Sequence, residues 1–380
     1  MPLLYERVRD YLLDEIRSGR LSPGDRLPSE MELAAQFHVS RITSKRALEI
    51  LRQDGLATRI RGKGTFVAAG SAVADAEPSI PARPEASVRA EKLVAERSGR
   101  IGFIAPDISD VFGVRMLDAI EERCAEHGLQ LVLRRTRGSQ EVENAAITAF
   151  VRSGLDGLIV FPVHGEYYND ALLRVVLDGF PVVLVDRYLK GIAVSSVSTD
   201  NYAAARALTN ALLDRGHREI AFLSPPPERT SSIEDRRRGF GAALRERGLP
   251  VNSDRYLMSL ASTLPGTHFA DGFPDDVRRI RAFVDAHPEV TAYVVCEYIL
   301  AVLLDRELGQ GDDATPRPTV ACFDSPEDPF GENQFLHVRQ DERAIGRAAV
   351  DILVELISRA TPPVQRLVAF ALVEASGASL

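Results

Sequence analysis

Apolar positions take three textures along this 380-residue chain. Residues 3–18 place Leu4, Val8, Tyr11, Leu12 and Ile16 at helical spacing with charges between them, and SGRLSPGDRLP then breaks the pattern. Ser29 opens a second, short helix, SEMELAAQF, with Glu32 three residues on as in a capping box. After the turn HVS, Ser40 opens a third helix, RITSKRALEILRQDG, which Gly55 ends. LATRI and GTFVA then read as two short strands around an RGKG turn. Helix, helix, turn, helix, hairpin is the order of a winged helix-turn-helix, predicted over residues 1–68.

Residues 69–98 are rich in Ala, Ser, Pro and Glu without clear periodicity and read as a linker. From Arg100 the texture becomes strand–helix alternation. RIGFIAP, LQLVLRRT, DGLIVFP, PVVLVD, EIAFLSP, RYLMSL and TAYVVC are the strands, separated by helices such as VRMLDAIEERCAEHG and DRRRGFGAALRERG. Continuous apolar strands between amphipathic helices predict parallel sheets covered on both faces. The number of strands predicts two such sheets in residues 99–380, with a cleft between their strand C-termini.

Composition changes this picture in one respect. The chain carries a net charge of −8, yet residues 1–67 hold 12 Lys and Arg against nine Asp and Glu. A mildly basic head on an acidic body predicts that only the head meets an anionic partner. No apolar run reaches the length of a membrane span, and the amphipathic N-terminus resembles no signal peptide, so the expected compartment is the cytoplasm. Cys124, Cys296 and Cys322 lie far apart with no CxxC and are expected to be reduced core thiols.

In a helix-turn-helix the third helix enters the major groove, and its N-terminal side chains reach bases or flanking phosphates. Here these are Arg41, Thr43, Ser44, Lys45 and Arg46, while Ile42, Ala47, Leu48 and Leu51 can pack inward. A solvated basic face on a surface helix would share this composition. The glycines of RIRGKGTFV do not fit a nucleotide loop, because Gly64 directly follows Lys63. They fit a hairpin tip, with Arg59, Arg61, Lys63, Gly64 and Thr65 near DNA. The body carries no catalytic, metal-binding or cofactor motif: no G-x-S-x-G, H-E-x-x-H, Walker loop or dinucleotide fingerprint follows a strand. An α/β body of this kind serves an enzyme, a binding protein or a sensor equally well.

PSEMELAAQFHVSRITSKRALEILRQDGLATRIRGKGTFV resembles the DNA-binding domain of the GntR family of bacterial transcription regulators. That resemblance implies operator contacts at Ser29, Arg41, Thr43 and Lys45, and a minor-groove glycine at Gly64. The segments DGLIVFP, PVVLVDR, STDNYAAARALTNALLDRGHREIAFLS, RRRGFGAALRERG, TVACFD and LHVRQDERAIGRAAVDILVELI, in that order, resemble the effector domain of the LacI/GalR family. A GntR head on such a body is the layout of the AraR-like subgroup. The fold implied is α/β, an N-terminal winged helix-turn-helix plus a two-lobed effector domain of the type I periplasmic-binding-protein kind.

Position by position, the resemblance implies effector contacts from Arg236, Asp324 and Asp186, with Asp110 and Phe112 in the loop after the first strand; the alternatives are one of three consecutive surface arginines for Arg236 and a structural capping role for the two aspartates. His164, following DGLIVFP, should face the cleft. Where relatives carry an Asn-Asp pair after TAYVVC, this chain has Glu297 and Tyr298. With no tryptophan, stacking against a sugar ring falls to Phe112, Tyr298 or Tyr167. The added carboxylates imply a polyol, an amino sugar or another ligand with donors to offer. The function implied is a ligand-responsive repressor: a homodimer on double-stranded, palindromic operator DNA, with a carbohydrate effector and no cofactor. Alternatives are the same architecture sensing a purine or other non-sugar metabolite, or a small-molecule-binding α/β protein whose head only dimerises.

Overall fold

A computed structural model describes residues 4–18, 20–37, 39, 41–53, 56–60, 64–68, 97–164, 169–228, 230–264, 269–309, 316–326, 330, 332–359 and 361–376. Two compact units make up the chain, Met1–Glu85 and Ala86–Leu380.

The head consists of helices α1 (Leu4–Arg17), α2 (Glu30–Phe37) and α3 (Arg41–Gln53), then the antiparallel strands β1 (Ala57–Ile60) and β2 (Gly64–Val67). The predicted capping box forms: Ser29 N donates to Glu32 Oε2 at 2.7 Å, and Glu32 N donates to Ser29 Oγ at 3.2 Å. Val8, Leu12 and Ile16 of α1, Leu33 of α2, and Ala47, Leu48 and Leu51 of α3 meet Ala57 and Val67 of the hairpin in one core. Sequence periodicity does not reveal a third partner of the hairpin. Residues 24–27 run along β2, with Gly24 N donating to Val67 O at 2.9 Å and Leu27 N to Thr65 O at 2.8 Å.

The larger unit holds two six-stranded sheets. The first contains β3 (Arg100–Ala105), β4 (Gln130–Arg135), β5 (Gly157–Val160), β6 (Val182–Val185), β7 (Ser195–Thr199) and β13 (Gln365–Val368) in the order β13-β7-β6-β5-β3-β4, all pairs parallel. The second contains β8 (Ile220–Leu223), β9 (Tyr256–Leu257), β10 (Ala292–Val295), β11 (Thr319–Phe323), β12 (Leu336–Gln340) and β14 (Phe370–Val373) in the order β14-β12-β11-β10-β8-β9, with only β12–β14 antiparallel.

Helices α4 (Val114–Glu126) and α11 (Glu342–Ser358) cover one face of the first sheet, and α5 (Gln140–Arg152) and α6 (Asp170–Leu177) the other. The second sheet lies between α7 (Asn201–Asp214) with α8 (Ser231–Glu246) and α9 (Phe269–Ala286) with α10 (Tyr298–Leu308). The chain passes between lobes three times: from β7 to α7, from β12 to α11, and from β13 to β14.

Two glycines let helices approach closely. A Cβ on Gly239 of α8 would lie 2.2 Å from Tyr202 O of α7, and one on Gly346 of α11 would lie 2.6 Å from Met116 O of α4. Backbone oxygens cannot swing aside as a side chain can, so Gly239→Ala is expected to destabilise the protein by about 2–4 kcal/mol despite alanine's better helix propensity. Chemical denaturation checks this, with a Gly241→Ala control in the same helix. The Gly-Phe of RRRGF is thus a packing pair: Phe240 is buried against Phe222, ring centroids 5.3 Å apart.

Candidate nucleic-acid interface and ligand cleft

On α3 the side chains of Ser44, Ala47, Leu48 and Leu51 are buried, and Lys45 is exposed. Ser44 therefore corrects the sequence reading. Three- and four-residue spacing from Ala47 and Leu48 places it on the inner face, where it cannot reach a base. Thr43 is partly exposed, as are Ser29 and Thr65. The Ser29 hydroxyl caps α2. The side chains of Arg41, Arg46 and Arg59, and all of Arg61 and Lys63, lie outside the described residues.

Gly64 has φ +120°, backbone that side-chain-bearing residues rarely adopt. A Cβ there would lie 3.1 Å from Arg26 Nε. The glycine thus seats the Arg26 side chain against the hairpin, a local role besides the approach to DNA that the sequence suggested. Arg26 is exposed and adds a cation beside the hairpin. Its signal in the sequence, one arginine in SPGDRLP, is too plain to single out.

In the larger unit the polar side chains gather where strands end. Asp186 follows β6 and Asp324 follows β11, third strands of their sheets, and both have positive φ, +64° and +61°. Arg187 N donates to Val185 O at 2.7 Å, so Asp186 is the centre of a strained γ-turn. No described helix begins at either aspartate, which removes the capping role as their explanation. The neighbouring strands end in Thr199 and Gln340, whose Oγ1 and Oε1 are buried without hydrogen-bond partners. The two lobes thus present the same pair of positions, a positive-φ aspartate beside a side chain with an unsatisfied polar atom.

Arg236, on α8, is buried between these ends. Its Nε donates to Asn201 Oδ1 and its Nη1 to Cys296 O, both at 2.7 Å, and its guanidinium lies 3.8 Å from the Phe323 ring centroid. Arg187, which the sequence reading passed over, is also largely buried: its Nη1 donates to Pro162 O at 2.8 Å and its Nε lies 3.3 Å from Asp186 Oδ2. Burial pushes the carboxyls of Asp186 and Glu297 above the usual range, while Arg187 and Arg236 pull them back. Burial raises Asp324 to about 7, against the opposing pull of Arg236 and of Gln340, whose Nε2 donates to both carboxylate oxygens at 3.1 and 2.9 Å. His164 is held neutral, its pKa lowered to about 4 by burial and by Arg187. Its Nδ1 lies 3.3 Å from Thr230 Oγ1 of the other lobe, and its Nε2 is buried and unpartnered.

Three buried carboxylates fix the loops around this cluster. Glu342 accepts from Gly113 N at 2.5 Å and so holds the loop carrying Asp110 and Phe112. Glu143 accepts from Val163 N at 2.9 Å beside His164. Asp276 accepts from Ala261 N at 2.8 Å and Ser262 N at 2.7 Å beside Thr263. The Thr263 hydroxyl in turn tempers the upward shift of Glu297.

The structure therefore brings together Asp186, Arg236, Glu297 and Asp324, adds Arg187 and Gln340, and sets His164 beside them. Asp110 is exposed, near enough to raise the Tyr298 hydroxyl along with burial. Phe112 packs edge-on to Phe161 at 6.1 Å, and Tyr298 packs on Phe335 at 6.0 Å. Tyr167 lies outside the described residues.

Fold and cleft define the class: a winged helix-turn-helix joined to a two-lobed ligand-binding α/β domain. Residues 98–297 match the family of periplasmic binding proteins and sugar binding domains of the LacI family, and the chain belongs to that family. Residues 4–67 match the bacterial regulatory proteins of the gntR family. The arabinose metabolism transcriptional repressor of Geobacillus stearothermophilus is 27% identical over 363 residues, covering 93% of this chain and 91% of that protein. Among solved structures, a LacI-family transcriptional regulator from Sanguibacter keddieii is 26% identical, with a TM-score of 0.60 over 74% of this chain and 98% of its own. The Cra regulator of Pseudomonas putida, in complex with fructose 1-phosphate, shares the fold at 20% identity, with a TM-score of 0.62 over 73% of this chain and 99% of its own.

Proposed function

We propose that this protein is a ligand-responsive transcriptional repressor whose cleft binds a neutral or cationic carbohydrate. The observation that carries the reading is the matched pair of strand-end sites, Asp186 with Thr199 and Asp324 with Gln340, around the buried Arg236. Sugars present hydroxyls that donate and accept at once, and such a ring of carboxylates, guanidinium and unsatisfied polar atoms suits them. Arg236 is already committed to Asn201, the Cys296 carbonyl and the Phe323 ring, and Arg187 to the Pro162 carbonyl and Asp186. Three carboxyl groups share the space with these two arginines and disfavour an anion, the more so as they ionise.

In this reading two copies of the chain pair with two-fold symmetry and place two heads on a palindromic operator. Thr43 and Lys45, with Arg41, read the major groove, while Arg26 and the hairpin cations hold phosphates. Ligand-dependent closure of the lobes then lowers operator affinity, a coupling of ~1–3 kcal/mol in systems of this kind.

Calorimetric titration against neutral sugars, amino sugars, sugar acids and purines tests the cleft. Binding only of anionic compounds or of purines would overturn the reading. A pH dependence follows from Asp324. A sugar hydroxyl donates to its ionised form, so affinity rises with pH up to about 7 and then levels off, and at one pH unit lower it should be about tenfold weaker. Asp324→Asn should flatten that profile. The sign reverses for the stability of the empty domain. The raised carboxyl binds more protons folded than unfolded, so its contribution is lost as pH rises from about 4 to about 7.

A further inference from the structure

We propose that the notch between α8 and β9 is a second ligand site, distinct from the cleft, and that it takes a phosphomonoester of a small metabolite.

Arg237, Gly241 and Arg245 follow one another at four-residue spacing and line one face of α8. Opposite stand Val251, Tyr256 and Met258, and the space between measures about 330 Å³, at the small end of ligand pockets. Gly241 keeps it open. A Cβ there would lie 3.3 Å from Arg245 Nη1, 3.6 Å from the Tyr256 hydroxyl and 3.7 Å from Val251 Cγ1. A glycine inside a helix costs stability relative to alanine. Close packing of α7 explains Gly239, and no helix explains Gly241; the notch does.

The charges point the same way. Other arginines of this face are neutralised: Arg238 by Asp235, Arg206 by Glu246, Arg247 by Asp214. Among the described residues the guanidiniums of Arg237 and Arg245 have no carboxylate and no hydrogen-bond partner. Both nevertheless act on the Tyr256 hydroxyl, opposing the upward shift that burial gives it. Both guanidiniums are exposed and no acidic residue lines the notch, so an anion seated there would meet two uncommitted cations. Two guanidiniums and a phenol are all hydrogen-bond donors of the kind phosphate oxygens accept from, and the apolar wall of Val251 and Met258 suits the carbon skeleton of an ester. This separates the notch from the cleft, where three carboxyl groups stand among the arginines.

Titration calorimetry on the full-length protein near neutral pH, in low-salt buffer without phosphate, tests the site with glucose 6-phosphate, inorganic phosphate and glucose as probes. Glucose 6-phosphate should bind. The double variant Arg237→Ala/Arg245→Ala should weaken it about 100-fold, roughly tenfold per charge-assisted contact. Gly241→Leu, which fills the notch, should weaken it at least about tenfold while the fold survives by circular dichroism. Tighter binding of the ester than of inorganic phosphate assigns the apolar wall to the carbon skeleton; equal binding assigns the site to phosphate alone. The proposal is overturned if neither probe binds below about 10 mM. It is also overturned if the double variant leaves binding unchanged, if Arg236→Ala removes it instead, or if a polyglutamate peptide binds more tightly than either phosphate.

Discussion

Arg236→Ala is expected to abolish the response to effector while operator binding without effector is retained. The guanidinium is the centre of the cleft: it touches Asn201 at one interlobe crossing, the Cys296 carbonyl at the end of β10, and the Phe323 ring at the end of β11. Removing it deprives the ligand of its cationic donor and leaves Asp186, Glu297 and Asp324 with less countercharge. Those carboxyls would then take up protons rather than remain buried and ionised. A loss of about 100-fold or more in effector affinity follows, read by calorimetry. Arg236→Lys keeps the charge but loses the planar fork and the ring stacking, so it should recover only a small part. Thermal unfolding separates this from collapse, since a variant that still unfolds cooperatively and binds operator has lost only the sensor.

The second large effect belongs to the head. Lys45→Ala should weaken operator binding by about 10–100-fold and leave calorimetric effector binding unchanged. Lys45 is exposed on α3 opposite the buried line of Ser44, Ala47, Leu48 and Leu51, so its removal takes away a cation without opening a cavity. With one cation fewer at the DNA per head of a dimer, the slope of log affinity against log salt should fall by up to about 2. Fluorescence anisotropy on an operator duplex at several salt concentrations measures both. Arg26→Ala should act in the same direction by a smaller factor. Gly64→Ala should also weaken binding, because φ +120° is strained for alanine and its methyl meets Arg26.

Much of this architecture was legible in the sequence because burial on both faces of a parallel strand leaves a continuous apolar run. RIGFIA, GLIV, VVLV and AYVV announce β3, β5, β6 and β10 in this way. β7 escaped periodicity because it reads SSVST, three serines and a threonine buried around one valine. β13 and β14 sit at sheet edges with Leu367 and Leu372 exposed, so no clean alternation marks them. In the cleft, side chains at strand ends were accessible to sequence reasoning, and Asp186, Arg236, Glu297 and Asp324 gather there. Arg187 and Gln340 were missed because each stands beside a more conspicuous aspartate, and only the fold puts them in the same space. Ser44 misled because it lies in a run of polar residues whose two faces composition cannot tell apart. The three carboxylates that fix the loops, Glu143, Asp276 and Glu342, stand on helices among other charges, and nothing in the sequence marks the backbone amides they accept from.

The proposed function requires one chain to couple a carbohydrate in its cleft to an operator at its head. Anisotropy of a labelled duplex from the gene's own upstream region, titrated with the protein with and without the sugar found by calorimetry, tests it most directly. Binding should be salt-sensitive, and the sugar should weaken it by about 5–150-fold in the natural chain and not in Arg236→Ala. Equal operator affinity with and without the bound sugar, or no binding of the duplex at low salt, would contradict it.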